Sequence, residues 1–322
     1  MPDISKVSGV AADSVKKIDG VSKASIGKLN ELSFASTLSI VTTNLVHHLD
    51  AANSSSYPGS GSTWFDLTSN SIDGTFRGAP TYSSTDGGGS FFFDGVDDGI
   101  KFDYDDAADL RIGEDSGELN AVGTTGITRT YGNLSSYGGF TYQAWVKIQS
   151  GTSDVFWVFA NNGSVTTSEA ASNTYLYYQG VEFLVNGNNG RIVCFVFDGN
   201  GSNTRNDRRR FMTPTSTIPS NGTWMNVAYT LPNDSPLPLT GGKIYLNGSE
   251  VSNLEYSNGL GSGLGYRAKF SSSQSNKYHA GIALRRGSFR RGFLGEHLWY
   301  NDVLTDAEIL QNYNATKTRY GF

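Results

Sequence analysis

The sequence predicts an all-β protein: one two-sheet antiparallel sandwich, preceded by a short N-terminal arm and closed by a single short helix. Three observations lead there. Glycine is abundant (39 of 322 residues) and aromatics reach 12%, while charged residues fall to 17%, a balance that suits strands and tight turns better than helices. Short β-branched and aromatic runs recur along the chain between clusters of Gly, Asn, Asp and Ser. From residue 45 to the last twenty residues, no long helical stripe interrupts them.

The strand runs begin at Leu45-Val-His-His-Leu-Asp50, followed by the turn-rich residues 51–61 and by Trp64-Phe-Asp-Leu67. Gly74-Thr-Phe-Arg77 and Ser90-Phe-Phe-Phe-Asp94 come next. Residues 139–148 alternate most cleanly, placing Phe140, Tyr142, Ala144, Val146 and Ile148 on one face. Residues 155–160, 174–185, 191–198 and 224–230 continue the series. Lys243-Ile-Tyr-Leu246 ends at Asn247-Gly248, a strong hairpin signal. Residues 113–138 read as a polar insertion and 201–222 as a second loop, carrying Arg205 and Arg208-Arg209-Arg210. Thr305-Asp-Ala-Glu308 is a capping box, so a helix is expected through Ile309, Leu310 and Tyr313.

The arm has a different grammar. Val7-Ser-Gly-Val-Ala-Ala-Asp-Ser-Val-Lys-Lys17 aligns with Ile18-Asp-Gly-Val-Ser-Lys-Ala-Ser-Ile-Gly-Lys28, and a third copy begins at Leu29, a period of about 11. Val7, Val10, Val15, Ile18, Val21 and Ile26 are spaced by steps of three and five, which on a helix would make a loose stripe. Gly9, Gly20 and Gly27 would each weaken such a helix by about 1 kcal/mol relative to Ala. These six apolar residues are therefore the candidate docking residues, with burial by other chains expected. The organisation expected is an arm over 1–40 and one sandwich over 41–322.

Several function classes are disfavoured. A net charge of −5 argues against nucleic-acid binding. Cys194, the one cysteine, lies in the apolar run 191–197 and reads as a buried strand residue, so no intrachain disulfide exists. The N-terminus lacks the apolar core of a signal peptide, which suggests folding in a cytoplasm, and no apolar run is long enough for a membrane span. His47, His48, His279 and His297 have no metal-motif spacing, and no Ser/His/Asp set can be argued, so no catalytic residue is assigned.

Four stretches carry a family resemblance. They are Leu49-Asp-Ala-Ala-Asn53 through Gly59 with Trp64-Phe-Asp-Leu67; Phe93-Asp-Gly-Val-Asp-Asp98; Trp224-Met-Asn-Val-Ala228 with Ile244-Tyr-Leu-Asn-Gly248; and Phe293-Leu-Gly295 with Trp299-Tyr-Asn-Asp302 through Ile309. In this order they resemble the concanavalin A-like lectin/glucanase superfamily, in its laminin-G-like jelly-roll branch. The resemblance implies two stacked antiparallel sheets with a C-terminal strand and helix closing the edge. The arm's opening, Ile4-Ser-Lys-Val-Ser-Gly-Val10, is similar to openings of structural proteins of tailed bacteriophages, especially those of marine cyanobacteria. That implies a virion protein, with other virion proteins as partners, a homo-oligomer (three chains as first expectation) and a cell-surface glycan as the ligand to test.

A glycanase of the superfamily would carry two carboxylates on one strand face, commonly Glu-x-Asp-x-x-Glu. No such motif occurs, and Glu114-Asp-Ser-Gly-Glu118 has the wrong spacing, so a non-enzymatic protein is expected. Asp94, Asp97 and Asp98 could ligate calcium, as rims of this superfamily do; the alternative is an Asp/Gly turn whose carboxylates bind backbone amides. Arg285-Arg286 and Arg290-Arg291 read as edge charges that discourage strand-to-strand aggregation, with an anionic partner as the alternative. Trp145 and Trp224 fall in strand patterns, where packing outweighs sugar stacking.

Overall fold

The computed structural model describes residues 39–102, 139–148, 155–161, 179–198, 208–219, 222–232, 241–258, 280–285, 288–289 and 291–322, with six two-residue strands between residues 6 and 33. The chain divides into two compact units, Met1–Ile40 and Val41–Phe322.

In the first unit the described residues between 6 and 33 are strands, not a helix. They form three antiparallel hairpins: β1 (Lys6–Val7) with β2 (Val10–Ala11), β3 (Lys17–Ile18) with β4 (Val21–Ser22), and β5 (Lys28–Leu29) with β6 (Leu32–Ser33). This corrects the helical stripe. A step of three is the spacing of two residues that face each other across a two-residue turn, as Val7 faces Val10 and Ile18 faces Val21. Val15 and Ile26 lie outside the described residues.

The second unit is a sandwich of two antiparallel sheets. One sheet has eight strands in the order β10 (Thr81–Ser83), β11 (Ser90–Asp94), β25 (Arg291–Tyr300), β13 (Gly139–Lys147), β18 (Met225–Pro232), β19 (Lys243–Leu246) and β20 (Ser249–Glu250), with β7 (Leu45–Asp50) also on β25. The long β25 serves both: Arg291–Leu294 pairs with β11, and Glu296–Tyr300 with β7. The other sheet runs β21 (Glu255–Asn258), β17 (Arg208–Met212), β16 (Arg191–Asp198), β15 (Gln179–Asn186), β14 (Val155–Asn161), β22 (Ala280–Ile282), β12 (Gly99–Phe102), β9 (Gly74–Arg77) and β8 (Thr63–Trp64). A small hairpin, β23 (Leu284–Arg285) with β24 (Ser288–Phe289), precedes β25.

Alternation explains the core. On β13, Phe140, Tyr142, Ala144 and Val146 face inward, and Ile148 beyond the strand joins them, as expected. They meet Val181, Phe183 and Val185 of β15 and Ile192 and Cys194 of β16 from the facing sheet. Burial pushes the Cys194 thiol well up, so it is a core residue and not a thiolate. Residues 208–212 correct the loop expected there: they form β17, paired with β16 and β21, with Phe211 buried between Arg210 and Met212. The arginine run disguises a strand whose buried apolar residue is Phe211.

The outer face of the eight-stranded sheet is covered by the C-terminus. Helix α1 (Asp306–Thr316) starts with the expected capping box between Thr305 and Glu308. Asn312, a buried residue of α1, donates to Gln143 Oε1 (2.9 Å) and the Tyr300 hydroxyl (3.0 Å), and accepts from Val41 N (2.8 Å). Tyr300 in turn donates to Val41 O (2.8 Å), so the first residue of this unit is held through both backbone groups. After α1 a 3-10 turn, Lys317–Tyr320, lays the Tyr320 ring on Trp145 at 4.1 Å and 13°. Gly295 makes this docking feasible: any Cβ there would collide with the Tyr320 hydroxyl. It sits at the β-bulge where β13 skips from Trp145↔Glu296 to Val146↔Leu294.

Candidate functional site

Three polar clusters stand out among the described residues. The first is the turn between β11 and β12. Asp94 Oδ1 accepts from Val96 N (2.7 Å) and Asp97 N (3.4 Å). Asp98, only 4% exposed, accepts from Ala79 N (2.9 Å) through Oδ1 and from Asp94 N (3.0 Å) through Oδ2. Gly78 is needed opposite, because its φ is +63° and a Cβ would lie 2.6 Å from Asp98 Oδ1. Burial, with the charges of Asp94 and Asp97, pushes the Asp98 carboxyl up, whereas the amide of Val96 leads those that hold Asp94 low. Arg291 Nε donates to Asp94 O (3.1 Å), which ties one of the expected edge arginines to this turn.

The three carboxylates offer oxygens within 4.8 Å of one another, a donor set of the type calcium takes. Their hydrogen bonds also account for the turn with protein atoms alone. Asp94 and Asp98 are committed to the backbone, and Asp97 is the exposed member. The structure thus brings the three expected residues together, and the Asp/Gly turn accounts for their contacts.

The second cluster was not legible in the sequence. His48, Asp50 and Glu296 sit on the outer face of β7 and β25, with Asp50 directly opposite Glu296. Glu296 is buried; burial alone would raise its carboxyl, but the His48 bond (3.2 Å) and the Arg319 charge outweigh this and hold it low. Arg319, from the C-terminal turn, spans both carboxylates: Nη1 to Asp50 Oδ2 at 2.9 Å and Nη2 to Glu296 Oε2 at 3.4 Å. Two facing carboxylates are the raw material of a glycanase, but here one guanidinium is already paired with both.

The third cluster lies in the core between the sheets. His47 Nε2 is 2.8 Å from Ile72 O, a pure acceptor, so that nitrogen carries the proton. His47 Nδ1 must then accept from His297 Nε2 (2.8 Å), which leaves His297 Nδ1 to accept from the Tyr142 hydroxyl (3.0 Å). Asp66 builds the loop that delivers Ile72 O, accepting from His48 N, Thr68 N and Ile72 N. Both imidazoles are fully buried and neutral: desolvation lowers His47 to about 4 and carries His297 well below the usual range. This chain orders the core and faces no solvent.

The remaining expected residues separate. Trp145 is core-like, against Tyr320, and Trp224 donates to Asp86 Oδ1 (2.7 Å) beside it. Glu114, Glu118, His279, Arg286 and Arg290 lie outside the described residues. No helix among the described residues is long and apolar enough to cross a membrane.

A family model described as the concanavalin A-like lectin/glucanases superfamily, of laminin-G type, matches residues 122–310, more than half of the chain. The chain belongs to this superfamily. Solved structures agree on the fold. The receptor-binding domain of botulinum neurotoxin C/D mosaic serotype superposes with a TM-score of 0.51 at 10% identity, over 85% of this chain and 52% of that one. Trypanosoma rangeli sialidase bound to a difluorosialic acid gives 0.50 at 14% identity, over 88% of this chain and 35% of that one. This superfamily member spans about half the length of the toxin domain and about a third of the sialidase. No curated protein sequence matches it significantly.

Proposed function

We propose that the chain is a structural and adhesive component of a bacteriophage particle, with the lectin-like sandwich displayed outward and the arm joined to other virion proteins. The observation that carries this is the coupling of a lectin-superfamily sandwich to a repeat arm of unrelated construction, whose opening is similar to those of tailed-phage structural proteins. The first residue of the sandwich, Val41, is held by Asn312 and Tyr300, which suits a domain built to be carried on a stalk. The ligand to test is a host-surface glycan; one named neighbour is described as a receptor-binding domain and the other as a sialidase in complex with a difluorosialic acid, and they motivate the choice.

We infer no hydrolytic role. Among the described residues the facing carboxylates Asp50 and Glu296 favour a divergent glycanase most, and Arg319 is already paired with both. Mass spectrometry of purified virions from the source culture tests the main reading: this chain should be a stoichiometric component. Its absence from particles, with the gene lying apart from head and tail genes, would favour a bacterial surface or secreted glycan-binding module. Reducing-sugar release from β-glucans that disappears in Glu296→Gln would favour the glycanase.

A further inference from the structure

The arm repeat and its hairpins carry an inference about what the arm binds. Phased on the turns, residues 2–12, 13–23 and 24–34 are three gap-free copies of eleven residues. The third position is always apolar (Ile4, Val15, Ile26), the fifth always lysine (Lys6, Lys17, Lys28), and the sixth and ninth always apolar. The structure gives this pattern a register. In each copy the sixth and ninth residues are cross-strand partners beside the turn: Val7↔Val10, Ile18↔Val21 and Leu29↔Leu32. The lysine is paired one step further out, with Ala11, Ser22 and Ser33. Directly opposed residues share a face, so each hairpin separates an apolar pair from a lysine pair.

Such hairpins cannot stand alone. Each has two-residue strands, and a lone two-stranded hairpin is at best marginal in water. The arm contains no cysteine and one aromatic, Phe34, and a unit of about 40 residues without a staple falls below the size that builds its own core. Repeat units of this kind are stable when identical surfaces stack on one another. A partner must then present apolar pairs at the same eleven-residue interval. The same segment of another copy of this chain does so by construction. Charge permits it: residues 2–34 hold five lysines against three aspartates and one glutamate, a net +1, while the rest of the chain carries −6 of the total −5.

We propose that residues 2–34 assemble with the same residues of other copies of this chain into a β-structured shaft, one hairpin per eleven residues, with Val7, Val10, Ile18, Val21, Leu29 and Leu32 at the contact. This deepens the oligomer expected of a displayed virion protein and does not depend on any glycan.

The test is sedimentation equilibrium of the purified full-length chain at tens of micromolar, with thermal unfolding of the sandwich followed in parallel. The wild type should be a discrete oligomer. The triple variant Val10→Asp, Val21→Asp, Leu32→Asp should be monomeric with an unchanged sandwich melting temperature. Deleting residues 13–23, one whole copy, should keep the oligomer, and deleting residues 2–34, all three copies, should abolish it. A monomeric wild type overturns the proposal, as does an oligomer that survives the triple variant or the deletion of residues 2–34. These readings need only the isolated chain, so they separate this inference from the virion assignment, which particle mass spectrometry decides.

Discussion

At the scale of single residues, the consequential groups are polar ones placed where water is absent. His47 and His297 are neutral in the fold, with His47 lowered to about 4 and His297 well below its usual range. Unfolded, both return to about 6.5, so below that pH the unfolded chain takes up protons the folded chain refuses. Stability is therefore full above pH 6.5 and declines as pH falls towards 4, by up to roughly 3 kcal/mol per pH unit for the pair. Melting temperature measured from pH 7.5 to 4 should show this fall. A flat profile over pH 7 to 5 would contradict the assigned tautomer chain. Asp98 acts by a different route. In Asp98→Ala the amides of Ala79 and Asp94 lose their acceptor, at a cost of about 2–3 kcal/mol by chemical denaturation, whereas Asp98→Asn, which keeps one carbonyl and removes a disfavoured charge, should cost less.

At the scale of elements, the C-terminal turn is the latch of the eight-stranded sheet. Arg319 bridges two carboxylates that face each other across β7 and β25, and its side chain is 23% exposed. Removing one partner of a partly buried ion network leaves uncompensated charge, so Arg319→Ala should destabilise the sandwich by about 3 kcal/mol or more, with Arg319→Lys intermediate because it cannot span both carboxylates. Equilibrium unfolding in urea measures this; a loss below about 1 kcal/mol for the alanine variant would show the latch to be ornamental. The capping box at Thr305 is a smaller term, about 1 kcal/mol. Both the helix and its cap were readable beforehand, because capping is local chemistry. Arg319 was not, since its partners lie 269 and 23 positions away.

At the scale of the molecule, the chain divides into two compact units. Val41 is bound inside the sandwich by Asn312 and Tyr300, and the core cluster is built from residues of the second unit. Deleting residues 1–40 should therefore leave the sandwich folded, with its melting temperature within about 2 °C of the full chain, while self-association is lost. A truncated chain that fails to fold would mean that the arm covers the sandwich.

What the sequence by itself determined was whatever depends on neighbours along the chain. Strands such as Leu45–Asp50, Ser90–Asp94, Arg191–Asp198 and Lys243–Leu246 announce themselves through alternation and turn residues, and the inward face of residues 139–148 follows from a period of two. The eleven-residue arm repeat was equally visible, but not its conformation, because steps of three serve both a helix and a tight hairpin. The arginine-rich strand Arg208–Met212 was hidden for a related reason: charge outweighed alternation where half of the residues face away from the core. Only the tertiary structure decided which distant groups meet. His47 with His297, and Asp50 with Glu296 and Arg319, are joined by the pairing of β7 and β25, strands from opposite ends of the chain. No local pattern encodes that meeting, because strand order in a sheet is set by which faces can be buried together and not by order along the chain.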